Sequence, residues 1–261
     1  MNLMGNDQIK SKNRVVDYGE VLTPSWMVND MLDLIPATAT KISSRYLENS
    51  AGEGAFLVEI LNRKLELIFS TYHKLDDLEF YTVVALTNIY GIELLMDNIE
   101  VCKLRLRTLI MDYFVNQYRL KTSSQFFEVI DHILNINIIN MNALSYKIPM
   151  INNHKLARDI NGEIIYSDMG RISEWKIDYC SRELQRIEYL YCDVVREQQE
   201  RCSYEQNLSR VEPLQLNLFD SGDEMDLFDE EHYITIATPI RIFSIESFVS
   251  LNNAIVLKDG E

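Results

Sequence analysis

The chain has 261 residues, of which 47% are hydrophobic and 25% are charged, which is typical of a globular protein with one domain of ordinary size plus an appendage. Its formal net charge of -15 argues against tight, unaided binding to nucleic acid, because phosphate groups repel an acidic surface. The sequence contains no run of about eighteen uncharged apolar residues, and residues 1–14 are too polar for a secretory signal. We therefore expect a cytoplasmic protein with no membrane partner.

After a polar arm, the first predicted element is a helix over residues 23–36, "TPSWMVNDMLDLIP". Thr23 or Ser25 can cap this helix, Pro24 suits its first turn and Pro36 ends it. A short strand is predicted over Arg45–Asn49. A glycine turn follows it, and then a helix whose apolar residues recur at helical spacing.

The pattern of strand and helix repeats twice more along the chain. A helix over residues 76–88 leads into the strand Ile89–Glu93, and two further helices lead into the strand Ile136–Leu144. Such alternation predicts an α/β fold with a Rossmann-like, doubly wound parallel sheet and right-handed crossovers.

Beyond Pro149 the pattern changes to that of an antiparallel sheet, because apolar and polar residues alternate. The alternating apolar positions are Trp175, Ile177 and Tyr179 in one segment and Ile187, Tyr189 and Tyr191 in another. Residues 233–245, "YITIATPIRIFSI", predict a further strand. The predicted units are an arm (1–24), an α/β domain (25–150), an antiparallel β and helical appendage (151–212), an acidic linker (213–232) and a C-terminal strand segment (233–261).

The spacing of the cysteines and the clustering of the carboxylates indicate two further properties of the chain. The four cysteines show neither the paired spacing of a zinc site nor the density of extracellular disulfides, so we expect reduced, structural thiols and no metal. Between Pro213 and His232 there are seven carboxylates and no Lys or Arg, which is typical of an exposed linker.

The glycine turn is the first candidate site. Gly52 and Gly54 allow positive φ and a close approach of the backbone to a ligand, at the carboxyl end of a strand where doubly wound sheets bind their ligands. Glu93 ends the next strand, where dinucleotide-type sites place an acid that accepts hydrogen bonds from ribose hydroxyls. The alternatives are a plain tight turn and a solvated strand end.

Four segments in order resemble the S-adenosylmethionine-binding half of the adenine-N6 DNA methyltransferases of bacterial restriction-modification systems. Residues 17–35, "DYGEVLTPSWMVNDMLDLI", resemble the family's N-terminal Thr-Pro segment, and residues 47–61, "LENSAGEGAFLVEIL", its Gly-x-Gly cofactor loop. Residues 90–106, "YGIELLMDNIEVCKLRL", are similar to its ribose-binding strand, and residues 139–144, "INMNAL", to its adenine-contacting segment.

This resemblance implies a set of residues for binding S-adenosylmethionine: Thr23, Pro24, Glu48, Ser50, Gly52, Gly54, Glu93 and Asn142. Thr23 and Pro24 would lie beside the amino-acid end of the cofactor, and Glu93 would accept hydrogen bonds from its ribose. Asn142 would contact the adenine ring or, alternatively, form the turn at the end of its strand. Three positions depart from the family pattern, which usually has Pro, a small polar residue or Cys, and Asn where this chain has Asn49, Ala51 and Ala55.

The catalytic motif of that family, Asp or Asn followed by Pro-Pro and an aromatic residue, is absent, because no two prolines of this chain are adjacent. Asp168 could substitute as an acceptor for the target amine, although a turn between antiparallel strands is the plainer interpretation. The resemblance thus implies a methyltransferase-like protein that depends on a restriction-modification partner subunit for catalysis and contacts DNA weakly or indirectly. The alternatives are a catalytically silent interaction module and a methyltransferase for a small molecule or protein.

A second motif lies in the acidic linker. Residues 215–220, "QLNLFD", resemble the pentapeptide with which bacterial proteins dock on the β sliding clamp. The resemblance implies that Gln215 would hydrogen-bond at one subsite, while Leu218 and Phe219 fill an apolar pocket and Leu216 supports them. The alternative is that Leu218 and Phe219 fold back onto the domain.

Overall fold

The structure is a computed structural model that describes residues 12–18, 20–35, 41–210 and 236–259. Three parallel strands form its central sheet, in the order β1-β2-β3: β1 (Tyr46–Glu48), β2 (Ile89–Glu93) and β3 (Ile138–Asn140). The protein is therefore a mixed α/β structure with a parallel sheet, as predicted. Within the described ranges, the order of the three strands runs in one direction and does not reverse.

Seven α-helices surround this sheet in the described part of the chain: α1 (Lys12–Tyr18), α2 (Ser25–Asp33), α3 (Ala55–Thr71), α4 (Leu75–Thr87), α5 (Met96–Met111), α6 (Ser124–Asn137) and α7 (Tyr191–Arg210). A π-helical turn, Asp112–Gln117, extends α5. The N-cap of α2 is Pro24 rather than the predicted Thr23 or Ser25, and its carbonyl oxygen accepts a hydrogen bond from the backbone of Val28 at 3.1 Å.

Eight further strands follow β3: β4 (Lys147–Pro149), β5 (Ile151–Asn152), β6 (Lys155–Leu156), β7 (Tyr166–Met169), β8 (Arg171–Asp178), β9 (Glu183–Leu190), β10 (Arg241–Ser247) and β11 (Val256–Asp259). The last four form an antiparallel sheet in the order β11-β10-β9-β8, which confirms the antiparallel pattern. The prediction was wrong for Tyr179, which lies in a turn, and for Tyr191, which begins α7.

The two faces of β2 pack against different layers. On one face, Gly91 lies so close to the side chain of Leu57 in α3 that an added Cβ would overlap it. On the other face, Ile92 packs in a small core with Tyr191 of α7 and Ile172 of β8. The parallel sheet therefore lies between a helical layer and a layer made of the antiparallel sheet and α7.

Buried polar contacts connect these layers. The side-chain amide of Asn137, at the end of α6, donates hydrogen bonds to the carbonyl oxygens of Leu86 (3.2 Å) and Ile89 (3.1 Å). Its side-chain oxygen accepts a hydrogen bond from the indole nitrogen of Trp175 in β8 at 3.0 Å. Because Asn137 bonds at this point instead of extending a strand, β3 begins only at Ile138, two residues later than predicted.

Lys64 of α3 is fully buried, and its ammonium group donates hydrogen bonds to the carbonyl oxygens of Ile42 (2.9 Å) and Ser44 (2.6 Å). Burial lowers the pKa of Lys64 from 10.5 to about 7. Between this value and the pKa of the unfolded lysine, the unfolded chain binds more protons than the folded one, so the Lys64 contribution to stability increases as pH rises.

Replacement of Lys64 by methionine should therefore remove about 2 kcal/mol of pH-dependent stabilisation between pH 7 and pH 9. The measurement is urea denaturation of both proteins at the two pH values. The quantity to compare is the difference between wild type and variant, in which the contributions of other titrating groups such as Cys102 cancel. An unchanged pH dependence in Lys64→Met would show that Lys64 is solvated in the folded protein.

The helices of the described ranges are all too short or too polar to cross a membrane.

Candidate functional site

The glycine turn lies directly after β1, at the edge of the sheet where the carboxyl ends of the parallel strands meet. Gly52 has φ +51° and Gly54 has φ +76°, values that L side chains rarely adopt. The backbone of Ala51 donates to the carbonyl oxygen of Ile92 at 2.9 Å, which fixes the turn against β2. The sequence therefore folds here as predicted, from strand to turn to helix, with Gly54 as the N-cap of α3.

The two glycines meet different surroundings. A Cβ on Gly54 would overlap the side-chain sulfur of Cys102 in α5, so this position requires glycine for space as well as for φ. Burial raises the pKa of the Cys102 thiol to about 12, and this cysteine therefore packs as an unreactive thiol. A Cβ on Gly52 would meet no atom within 4 Å, because this residue faces open space.

Glu93, the last residue of β2, points at the glycine turn. One carboxylate oxygen accepts a hydrogen bond from the backbone N–H of Gly52 at 2.8 Å, and the other accepts one from the backbone N–H of Leu95 at 2.9 Å. The residue is buried. Since an ionised carboxylate offers about four lone pairs, Glu93 keeps acceptor capacity for two more donors.

Two clefts meet at the glycine turn. The large cleft, about 760 Å³, lies over the carboxyl ends of β2 and β3 and is lined by Glu93, Asn142 and residues of α1, among others. The small cleft, about 390 Å³, lies beside the start of α2 and is lined by Thr23, Pro24 and Glu48, among others. Both clefts include Val21, Leu22, Ser50 and Gly52 in their walls, so these residues lie between them.

The residues implied by the resemblance therefore lie close together in the structure. Seven of the eight line one or both clefts, namely Thr23, Pro24, Glu48, Ser50, Gly52, Glu93 and Asn142, while Gly54 lies buried beneath the turn. Whether any of them binds a cofactor stays a prediction.

Glu48, at the end of β1, is a partly buried carboxylate in the wall of the small cleft. Burial raises its pKa above the usual value of 4.5. Within the ranges that the structure describes, its side chain has neither a hydrogen-bond donor nor an ion-pair partner. A carboxylate in this condition favours a cationic ligand, which would offset the cost of removing it from water.

Asn142 holds the turn that follows β3. Its side-chain oxygen accepts hydrogen bonds from the backbone N–H groups of Leu144 (2.9 Å) and Ser145 (3.1 Å), and its amide donates to the hydroxyl of Tyr166 at 2.6 Å. This is the geometry of a turn former, one of the two roles left open by the sequence. The contact with adenine stays a prediction.

The part of α1 in the cleft wall was not predicted, because the sequence pattern indicated a polar arm in this region. Arg14 of α1 pairs with Glu20 and with Asp97 at the start of α5, and its guanidinium also donates to the side-chain oxygen of Asn98. These contacts hold Asp17 and Tyr18 in the wall of the large cleft.

The opposite wall of the large cleft is a loop between β6 and β7. Its Arg158 donates a hydrogen bond to the hydroxyl of Tyr18 at 3.0 Å and another to the carbonyl oxygen of Gly162 at 2.6 Å. Glu163 lies beside them in the cleft wall. Nothing in the local sequence pattern indicated this role, because the contact joins residues 140 positions apart.

The remaining sequence candidates are Asp168 and the clamp-like residues. Asp168 is exposed in strand β7 and is not among the lining residues of either cleft, and it lies in a strand rather than in the predicted turn. The clamp-like residues Gln215–Phe219 lie outside the described residues. No cluster of His, Cys, Asp or Glu able to hold a metal ion occurs in the described part of the chain.

No model of a known protein family matches the chain, and searches of curated proteins and of solved structures give no significant match.

Proposed function

We propose that the two clefts together bind S-adenosylmethionine and that the chain is the cofactor-binding part of an adenine-specific DNA methyltransferase system. The observation that carries this proposal is the contact between Glu93 and Gly52, which sets an acid with spare lone pairs against a positive-φ glycine turn. The four ordered segments of the resemblance support it, and they imply a Rossmann-like methyltransferase fold around the three parallel strands.

In this proposal the adenosine part of the cofactor occupies the large cleft. The two ribose hydroxyls donate to the lone pairs of Glu93 that its bonds to Gly52 and Leu95 leave available. The chain of the cofactor then passes Gly52, where the absence of a Cβ leaves room, into the small cleft. The methionine end lies there beside Thr23 and Glu48.

The charges of the small cleft suit this end of the cofactor. S-adenosylmethionine carries a sulfonium and an ammonium, and the carboxylate of Glu48 makes no ion pair in the described structure, although Arg105 also lines this cleft. At about 4 Å, an attraction between opposite charges near a protein surface is on the order of 4 kcal/mol before the loss of hydration is counted. Glu48 therefore stabilises the cationic end of the bound cofactor, whose product of methyl transfer keeps the ammonium and loses the sulfonium charge.

Methylation of adenine also requires that the exocyclic nitrogen of a flipped base points its lone pair at the methyl group. The Pro-Pro motif with which the resembling family achieves this is absent from the chain. The net charge of -15 also disfavours unaided DNA binding. We therefore assign target recognition and base positioning to a partner subunit.

The second candidate is a catalytically silent interaction module, and the missing motif is the observation that favours it. A labelled-methyl transfer assay on adenine-containing DNA separates the two candidates when a partner is added. Incorporation by the purified chain alone would contradict both the second candidate and the need for a partner.

Calorimetric titration with S-adenosylmethionine tests the proposed function. We expect a dissociation constant in the micromolar range or weaker, because the glycine turn is intact while its flanking residues differ from the family pattern. Gly52→Val serves as the control, since a branched side chain at a φ of +51° would enter the open space beside Gly52, which lines both clefts. The absence of heat from the wild-type protein would end the proposal.

Glu48 predicts a pH dependence of cofactor affinity. Only the ionised carboxylate attracts the cation, so affinity should fall as the pH is lowered through the raised pKa of Glu48. Glu48→Gln should weaken binding about tenfold at pH 7.5 and show little further change at pH 5, since about 1.4 kcal/mol corresponds to a factor of ten.

Titration with S-adenosylhomocysteine, which lacks the sulfonium charge, shows which charged group of the cofactor Glu48 contacts. A larger loss for S-adenosylmethionine in Glu48→Gln places Glu48 beside the sulfonium, and an equal loss places it beside the ammonium. An unchanged affinity for both ligands contradicts a role for Glu48.

A further inference from the structure

Arg105 of α5 contacts the glycine turn from the neighbouring helix. One terminal nitrogen of its guanidinium, Nη1, donates a hydrogen bond to the carbonyl oxygen of Glu53 at 2.8 Å. Glu53 lies between the two glycines, so this bond holds the guanidinium against the turn. Arg105 also lines the small cleft. A cation is therefore fixed at the wall of the cleft that we assign to the methionine end of the cofactor.

In the part of the chain that the structure describes, no carboxylate pairs with this cation. The bond to Glu53 is the one hydrogen bond that the side chain of Arg105 donates there. A guanidinium has five N–H donors, so four of them remain available to a ligand. Arg105 is also the single basic residue among the described residues that line the small cleft.

The carboxylates of the small cleft leave the charge of Arg105 uncompensated. Glu59 pairs with Arg63 at 2.8 Å, and Glu53 contacts Arg105 through its carbonyl oxygen. The pKa of Glu48 stays raised by burial, whereas a cation in close contact would lower it. Glu48 and Arg105 therefore face the cleft as separate charges of opposite sign. A ligand end that carries both a cation and an anion matches this pair of charges.

The start of α3 adds to the positive side of the small cleft. Ala55 and Phe56, its first two residues, line this cleft, and no described side chain caps the helix. Backbone N–H groups at the start of a helix carry a partial positive charge. This partial charge adds to that of Arg105 and favours an anion at the same wall. The volume of about 390 Å³ lies within the range of small-molecule sites, about 300–1,000 Å³.

We propose that Arg105 binds the α-carboxylate at the amino-acid end of S-adenosylmethionine, while Glu48 faces the positive charge of the same end. This inference rests on the proposed function and assigns a residue that the resemblance did not imply. An arginine can donate two parallel hydrogen bonds to a carboxylate, and such bonds between charged groups are stronger than neutral ones. Arg105 thus determines specificity, because it selects ligands that carry a carboxylate.

Calorimetric titration of the full chain with decarboxylated S-adenosylmethionine tests this inference. The compound keeps the sulfonium and the ammonium but lacks the carboxylate. Its greater positive charge should favour it on a chain with a net charge of -15. We nevertheless expect the wild-type chain to bind S-adenosylmethionine about tenfold more tightly, because only this ligand bonds to Arg105.

Arg105→Gln distinguishes recognition of the carboxylate from support of the glycine turn. We expect the affinity for S-adenosylmethionine to fall about tenfold and the affinity for the decarboxylated compound to stay within about twofold, so the preference disappears. S-adenosylhomocysteine keeps the carboxylate and should lose as much affinity as S-adenosylmethionine. Equal losses for all three ligands would assign Arg105 to the turn alone and overturn the proposal.

Arg107→Gln is the matched control, because it removes the same charge from the same helix. Arg107 pairs with Asp131 at 2.8 Å and lines neither cofactor cleft. Its replacement should leave the affinity for S-adenosylmethionine unchanged. A loss equal to that of Arg105→Gln would attribute the effect to the overall charge and refute a specific contact.

The wild-type titrations distinguish this inference from the proposed function. Equal affinity for S-adenosylmethionine and the decarboxylated compound would overturn the role of Arg105 and leave cofactor binding in place, even if Arg105→Gln does not fold. The absence of heat with all three ligands would overturn cofactor binding and this inference together. Thermal unfolding checks that both variants are folded.

Discussion

Replacement of Gly54 by alanine is expected to destabilise the protein by about 3 kcal/mol and to abolish binding of S-adenosylmethionine. A positive φ costs an L residue roughly 1–2 kcal/mol, and an added methyl group in a packed core costs roughly 1–3 kcal/mol. Both costs apply at Gly54, because its φ is +76° and its Cβ would overlap Cys102. Relief of the overlap would move α3 away from α5 and shift the glycine turn. Urea denaturation and calorimetric titration measure the two effects.

Gly162→Ala is the matched control for this substitution. Gly162 has φ +86°, but a Cβ there would meet no atom within 4 Å, so the variant carries the cost of φ without the overlap. We expect a loss of roughly 1–2 kcal/mol in the free energy of unfolding. If both variants lost the same free energy of unfolding, the side chain of Cys102 would move aside without an energetic cost. Partial recovery is expected when Gly54→Ala is combined with Cys102→Ala.

Glu93→Gln should weaken S-adenosylmethionine binding roughly thirtyfold, which corresponds to about 2 kcal/mol and to the loss of a hydrogen bond to a charged group. Both oxygens of Glu93 accept hydrogen bonds from backbone N–H groups, of Gly52 and Leu95. In glutamine one oxygen becomes an NH₂ group, which cannot accept. Either the turn loses its bond to the side chain or the ribose loses an acceptor. Calorimetric titration gives the affinity.

The control for Glu93→Gln removes the same charge elsewhere. Glu183, the exposed first residue of β9, lines neither cofactor cleft, so Glu183→Gln should leave the affinity unchanged. Normal affinity in Glu93→Gln would show that Glu93 does not accept hydrogen bonds from the ribose. Equal losses in both variants would attribute the effect to the overall charge of the protein.

Strong local patterns predicted the parallel strands and the antiparallel pattern that follows them. The strand β2 has the predicted bounds, and β1 and α2 lie within their predicted segments. The limits of β3 depend on a contact across the chain, the bond between Asn137 and Trp175, and a sequence pattern does not contain that information. The appendage was expected to contain helix as well as sheet, but Tyr191, which begins α7, was assigned to a strand because it continued the alternation of β9.

The candidate site was predictable to a similar extent. Glu93 and the glycine turn follow neighbouring parallel strands, and the carboxyl ends of such strands share one edge, so their proximity could be predicted. The roles of α1 and of Arg158 depend on contacts between distant segments, including the pair Arg14 and Asp97. The position of β1 at one end of the sheet, among the described strands, was equally hidden, because hydrophobic periodicity does not reveal strand order.

The buried position of α4 determines how far the chain can be shortened. Phe80 of this helix packs against Phe248, with ring centroids 5.4 Å apart, and Arg182 pairs with Asp76 and Asp77 at the start of α4. A fragment cut at residue 150 would expose this apolar helix to water and leave the carbonyl oxygen of the Asn137 side chain without the indole. The residues that face the proposed cofactor thus depend on segments more than a hundred positions downstream, and we expect the parallel sheet and the antiparallel sheet to unfold together.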